Sequence, residues 1–140
     1  MKIKCARRNA EIYGVADRIH FICGNFFHVA RALLGSSPAV NGKRVCLDGV
    51  FLSPPWGGPA YIQQPVFDLH HMCPDGVETL EWARRLSPNV CFFVPRNTSV
   101  KQLVTVAGAG ERGTVKVELE QNLLNGRVKT VTAYFGDLSA

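Results

Sequence analysis

The residues of this chain best suited to chemistry lie in one stretch, "SPPWGGPAY", residues 53–61. It follows the apolar run "GVFL", residues 49–52, which reads as a buried strand. Pro54 and Pro55 fix their own φ angles and stiffen the exit from that strand. Trp56 then stands among prolines and glycines, surroundings that suit a loop better than a core. A tryptophan held on a stiff loop is a stacking platform for a planar ring. It is also the best aromatic partner for a cationic one.

Other patterns carry less. "GAGERG", residues 108–113, matches G-x-G-x-x-G, but it follows a helical stretch and precedes an alternating one. A dinucleotide fingerprint needs a strand before it and a helix after it, so this is read as a loop. His70 and His71 lack partners at metal-ligand spacing, and no metal is expected. Cys5, Cys23, Cys46, Cys73 and Cys91 are odd in number and hold no C-x-x-C pair. That argues against a disulfide framework or zinc site and for a reducing compartment.

The 140 residues amount to about one domain, with 46% hydrophobic and 19% charged residues. No apolar run approaches the roughly 20 residues of a membrane span. The opening "MKIKCARRNAEIYG" is too polar for a signal peptide. The net charge of +5 gives mild support for an anionic partner such as RNA.

The elements that must position the loop follow from periodicity. Residues 2–13 read as an amphipathic helix ended by Gly14, with Ile3, Ala6, Ala10 and Tyr13 on one face. "RIHFIC", residues 18–23, alternates and reads as a short strand. Residues 26–35 read as a helix stopped by Gly35, and "SSPAVNGK" as a loop. Residues 75–86 form a helix capped by Asp75, with Glu78 three positions on and Trp82 read as core. "NVCFFV", residues 89–94, is a fully apolar strand, and residues 99–108 a helix capped by Ser99. Finally, residues 114–124 and 127–135 alternate on either side of Asn125 and Gly126, a strong hairpin signal. The alternation of helix and strand predicts a parallel α/β sheet with helices on both faces and an antiparallel edge. Ligands of such sheets bind at the carboxyl ends of the strands, where the loop begins.

A strand ending in a polar residue, then Pro-Pro and an aromatic, resembles the [Asp/Asn/Ser]-Pro-Pro-[aromatic] motif of class I methyltransferases that act on amino groups. Ser53 and the Pro54 carbonyl can accept hydrogen bonds from the target amine and hold it in line with a sulfonium methyl group. "SPPWGGP" with Tyr61 is similar to the trimethylguanosine synthase family, which methylates N2 of 7-methylguanosine RNA caps. "ARRNAEIYGVADRIHFICGNF", "FFVPRN" and "VKTVTAYFGDL" extend the resemblance over almost the whole chain. It implies a Rossmann-like, S-adenosylmethionine-dependent methyltransferase fold over residues 1–140, a single partial domain with a C-terminal antiparallel hairpin. It also implies a nuclear enzyme, present in the cytoplasm too, that acts on capped small nuclear and nucleolar RNAs.

Residue by residue, the resemblance implies that Trp56 stacks on 7-methylguanine and that Tyr61, Arg96 and Lys129 contact the cap phosphates. Ser53 and Pro54 would sit where donor and N2 meet, and Asn25 and Phe26 would join them in holding S-adenosylmethionine. The plain alternatives are a packing role for Trp56, a loop aromatic at Tyr61, and solvated charges at Arg96 and Lys129. The sequence departs from the family in two places. Asn25 stands where an aspartate is usual. The first two strands, with the glycine-rich loop and acidic residue that hold the donor, are expected to be missing. Two other readings follow: an inactive or weakly cap-binding remnant, and a different amino methyltransferase of a nucleobase or glutamine. Trp56 with Tyr61 and Arg96 argues against the last.

Overall fold

The computed structural model describes residues 2–36, 39–40, 43–44, 47–108 and 116–139. Its elements are α1 (Lys2–Ile12), α2 (Phe26–Ser36), β1 (Ala39–Val40), β2 (Lys43–Arg44), β3 (Val50–Leu52), α3 (Gly76–Leu86), β4 (Val90–Pro95), α4 (Val100–Gly108), β5 (Val117–Leu124) and β6 (Arg127–Phe135). Four strands form one sheet in the order β3-β4-β6-β5, while β1 and β2 pair separately. β3 and β4 are parallel, with Phe51 opposite Cys91. β4 and β6 are antiparallel, as are β5 and β6.

Side-chain alternation gives the sheet two unlike faces. Val90, Phe92 and Val94 of β4 share a face with Leu52 of β3 and with Ala133 and Phe135 of β6. All are buried, together with Leu80 and Ala83 of α3 and Leu103, Val106 and Ala107 of α4. Each of the larger side chains contributes about 1.5–3 kcal/mol by leaving water, and the alanines less, so this face holds most of the apolar stabilisation. The opposite face carries Phe51, Cys91, Phe93, Tyr134 and Glu120. Phe51 is 66% exposed. The expected helical cover of both faces is therefore not found among the described residues. The reason is that α2 packs on α3, and α1 packs on the 3-10 helix Ala16–Arg18.

The expected strand at residues 18–23 is also corrected. Arg18 ends that 3-10 helix, and Ile19 is extended (φ −123°, ψ 122°) without joining a ladder. Alternation sets an extended backbone, but a strand needs a neighbour to share its hydrogen bonds. β1 lies inside the stretch read as a loop, and β2 begins at its last residue, Lys43. "GAGERG" lies outside the described residues beyond Gly108, the end of α4. The other elements stand where periodicity put them. In the hairpin, Asn125 (φ 52°) and Gly126 (φ 69°) make the left-handed pair that two-residue turns require.

Trp82 is half-buried at the α2–α3 junction rather than in the core. The guanidinium of Arg85 lies 4.6 Å from its ring and that of Arg31 lies 5.7 Å away, with Phe27 at 6.5 Å.

Two polar details lock the frame. Asn89 accepts from the Asp137 N–H at 2.9 Å and donates to the Asp48 carbonyl at 3.2 Å, joining the chain end to the start of β3. At α3, Asp75 accepts from the Glu78 N–H at 3.0 Å and pairs with His70 Nδ1 at 2.7 Å. That pair raises the His70 pKa above its ordinary value. Partial burial works to raise Asp75, but the hydrogen bonds from Glu78 and His70 prevail and lower it.

Two outcomes are expected. Gly136 has φ +71°, and an added Cβ would lie 2.5 Å from both the Pro88 carbonyl oxygen and Asn89 Oδ1. Gly136→Ala should therefore cost on the order of 3 kcal/mol in a denaturant titration. The His70–Asp75 pair should be complete between about pH 4 and 6.5. It fades as pH rises through the raised His70 value, where the ring loses its proton. It also fades as pH falls through the lowered Asp75 value. Asp75→Asn should move the His70 titration, followed by NMR, down towards about 6.5. An unchanged midpoint would show that Asp75 is not the cause.

Candidate active site

β3 ends at Leu52 and β4 at Pro95, and the two strands run parallel, so Ser53 and Arg96 leave the sheet at the same edge. From Ser53 the chain follows a long irregular course to α3, with 3-10 helices at Pro59–Gln63 and Leu69–His71. Gly57 (φ +81°) and Gly58 (φ +85°) turn the chain back directly after Trp56, with backbone angles that other residues rarely adopt. Ser53 is exposed and Pro54 half-buried. A hydroxyl and a stiffened carbonyl thus stand next to each other at the strand end.

The loop folds Trp56 back onto the open face of the sheet. Its ring centroid lies 5.5 Å from Phe93 of β4, with the planes 35° apart, and 5.5 Å from Tyr61, edge-on at 86°. Tyr61 in turn meets Phe67 edge-on at 6.2 Å. Offset and edge-to-face rings of this kind add about 0.5–1.5 kcal/mol per pair beyond area burial. Trp56 stays half-buried, so the indole is braced but still reaches the surface. Its Nε1 is buried and has no hydrogen-bond partner among the described residues. Phe93 was not singled out from sequence. Its only signal was its place in "FFVPRN", on the parity opposite to Phe92 and Val94.

The loop is fastened from the far side of β4. Asn97 Nδ2 donates to the carbonyls of Tyr61 (2.9 Å) and Gln64 (2.8 Å). Phe67 bridges to Thr98 in parallel fashion, with its N–H on the Asn97 carbonyl at 2.7 Å. Gln102 of α4 donates to Asp68 at 2.6 Å and accepts from the Leu69 N–H at 3.0 Å. The hydrogen bond from Gln102, then that from the His70 N–H, holds the Asp68 carboxyl below its usual pKa.

The two expected cations lie on neighbouring stretches of backbone, just after β4 and within β6. Arg96 is exposed and makes a long hydrogen bond of 3.5 Å to the Val128 carbonyl, next to Lys129. Asn122 pairs with Thr130 while Leu123 pairs with Val128, so Lys129 is the residue left over at a β-bulge. Bulges of this kind re-aim a side chain and interrupt the ladder. Arg96 also borders a cavity with Thr98, Leu103, Leu119, Gln121 and Val131.

Asn25 and Phe26 stand at the start of α2. No hydrogen bond or ring contact among the described residues joins them to residues 53–61. Asn25 caps α2, its Oδ1 accepting from the N–H groups of Phe27 (2.9 Å) and His28 (3.3 Å). Both lone pairs of that oxygen are thereby engaged. Phe26 packs against the core and meets Phe27 at 5.6 Å. Among the described residues no group of three or more His, Cys, Asp or Glu side chains could hold a metal ion. Likewise, none of the described helices is long and apolar enough to cross a membrane.

Comparison with known proteins shows the family. Residues 1–138 match the model of the RNA cap guanine-N2 methyltransferase family. The chain is 34% identical over 137 residues to trimethylguanosine synthase of Schizosaccharomyces pombe, covering 96% of this chain and 53% of that protein. It is 40% identical over 103 residues to trimethylguanosine synthase of Saccharomyces cerevisiae, covering 72% of this chain and 30% of that protein. It thus spans about half the length of one curated relative and about a third of the other. The mixed sheet with its parallel β3–β4 pair and antiparallel β4-β6-β5 portion accords with a Rossmann-like, S-adenosylmethionine-dependent fold. The chain belongs to the RNA cap guanine-N2 methyltransferase family.

Proposed function

We propose that this chain supplies the cap-binding and amine-positioning part of an enzyme that methylates N2 of 7-methylguanosine caps, giving 2,2,7-trimethylguanosine. The observation that carries the reading is Trp56. It follows Ser53-Pro54-Pro55 at the end of β3 and is braced by Phe93 and Tyr61. A 7-methylated guanine carries a formal positive charge, and an indole is the strongest aromatic partner for it. Arg96 and Lys129, close to each other beyond β4, suit the phosphates that follow the base in a capped RNA.

In this reading Ser53 and the Pro54 carbonyl accept hydrogen bonds from N2 and hold its lone pair towards the donor. S-adenosylmethionine supplies the methyl group from its sulfonium centre. The ring of Phe26 and the amide N–H groups of Asn25 suit the donor's adenine, as an apolar wall and as hydrogen-bond donors to a ring nitrogen. The chain's own contribution to rate is geometric: stacking fixes the plane of the base, and the acceptors fix the direction of the amine. Capped nuclear RNA is the partner proposed, with action in the nucleus. One observation favours a second reading, a cap-binding module without turnover. Asn25 Oδ1 is taken up by the α2 cap and is not free to accept from an adenine amino group.

A titration with 7-methylguanosine triphosphate and with guanosine triphosphate tests the site. Trp56→Ala should weaken the methylated nucleotide roughly 30-fold, from about 2 kcal/mol of cation–π and stacking energy, and the plain nucleotide much less. Arg96→Ala should weaken both nucleotides alike, because it acts on phosphates. Equal losses for both nucleotides in Trp56→Ala would make the tryptophan a packing residue. Incubation of a capped RNA with S-adenosylmethionine then separates the two readings. Appearance of 2,2,7-trimethylguanosine supports the enzyme, and tight binding without product supports the module.

A further inference from the structure

The segment that carries Tyr61 is regular only over the short 3-10 helix Pro59–Gln63, and Asn97 ties that helix to the turn after β4. Both side-chain N–H groups of Asn97 are engaged, one on the Tyr61 carbonyl and one on the Gln64 carbonyl, at 2.9 and 2.8 Å. Since both partners are acceptors, the amide can sit only this way round. The Asn97 backbone carbonyl takes the Phe67 N–H at 2.7 Å. One residue therefore holds the loop at three points, and its neighbour is Arg96. The ring of Tyr61 meets Trp56 edge-on, so Asn97 is linked to the indole through Tyr61 alone.

We propose that Asn97 is a positioning residue for cap recognition. Its amide fixes Tyr61, and through Tyr61 the tilt of Trp56, and it ties both to the turn that carries Arg96. The proposal rests on the reading of Trp56 as the base platform. Asn97 needs no contact with the nucleotide to matter, because a binding surface fixed in advance loses less freedom when a ligand arrives. The chemistry is particular to asparagine. Aspartate has nearly the same shape but only acceptors, so it would set a carboxylate against two carbonyl oxygens. Alanine removes the side-chain donor from both carbonyls and leaves that of Tyr61 only its bond from the Gln64 N–H, at 3.2 Å. Asn97 Oδ1 is buried and accepts no hydrogen bond among the described residues, so the residue's measurable work there is done by its two donors.

The first arm of the test uses no nucleotide. The chain has two tryptophans, so a Trp82→Phe background leaves Trp56 as the only indole. Acrylamide quenching of Trp56 is then compared in that background and in its Asn97→Ala, Asn97→Ser and Asn97→Asp derivatives. The quenching constant should rise about twofold or more as Tyr61 is released, with a cooperative melt retained. Unchanged quenching in all three would overturn the proposal. So would loss of the cooperative melt in all three, which would make Asn97 a residue of the fold rather than of the site.

The second arm is a calorimetric titration of 7-methylguanosine triphosphate in a double-mutant cycle of Asn97→Ala and Trp56→Ala. Asn97→Ala should weaken binding roughly tenfold when Trp56 is present and far less when it is absent. Losses that simply add would show that Asn97 acts independently of the indole, against the proposal. Absence of binding by the unmutated chain would count against the proposed function itself, and the quenching arm would still decide whether Asn97 sets the tilt of Trp56.

Discussion

The site depends on the docking of one irregular segment, the stretch between β3 and α3, onto the turn that follows β4. Ordering a residue costs about 1–2 kcal/mol of backbone entropy, and this segment has little helix or ladder to offset it. What offsets it is burial of Phe67, Leu69 and Met72 beneath the loop, at about 1.5–3 kcal/mol each. The polar ties from Asn97, Thr98 and Gln102 then choose one arrangement among the compact ones. Apolar contacts make the loop compact, and hydrogen bonds make it specific. Both groups of anchors lie at or just beyond the carboxyl end of a parallel strand, where an α/β sheet presents its ligands.

Much of this was legible in the sequence. Helix ends marked by Gly14, Asp75 and Ser99, the apolar runs of β3 and β4, and the Asn125-Gly126 turn all follow from local rules, and those elements form as read. The motif at residues 53–61 singled out Trp56 and Tyr61 separately, and only the fold brings their rings edge to face. What local rules could not give is anything that depends on a second segment. Residues 18–23 alternate like a strand, yet strand formation depends on a partner elsewhere. Phe93 looked like one more core residue of β4 until the register put it on the open face. Asn97 followed Arg96 as an ordinary polar residue, and only the return of residues 61–67 gives its amide two carbonyls to bind.

The two tryptophans show the same limit from another side. Helical spacing put Trp82 in the core, and loop composition put Trp56 at the surface. Both are half-buried. The difference lies in their company. Trp82 is flanked by two guanidinium groups that draw on the negative faces of its ring, and it serves the α2–α3 contact. Trp56 is braced by two uncharged rings, which leaves its attraction for a cation unspent. Asn25 presents the opposite case. Its carbonyl oxygen is consumed in starting α2, so a role in folding limits what the residue can offer a ligand.

The bulge at Lys129 places a charge by chain length rather than by residue type. Below it, β6 keeps the alternation that sends Val131, Ala133 and Phe135 to the core. Above it, the ladder resumes one residue out of step, at Val128 and Arg127. Removing Lys129 would close the ladder into regular pairing with Val128 still opposite Leu123 and Arg127 opposite Leu124, so only the extra residue and its charge would be lost. Single substitutions in that short stretch leave the register alone. Side chains at the tip can therefore be exchanged freely, whereas losing one residue next to Thr130 would remove the irregularity that sets Lys129 outside the pairing. Chain length at this point, more than composition, is what sets a residue outside the pairing of β5 and β6.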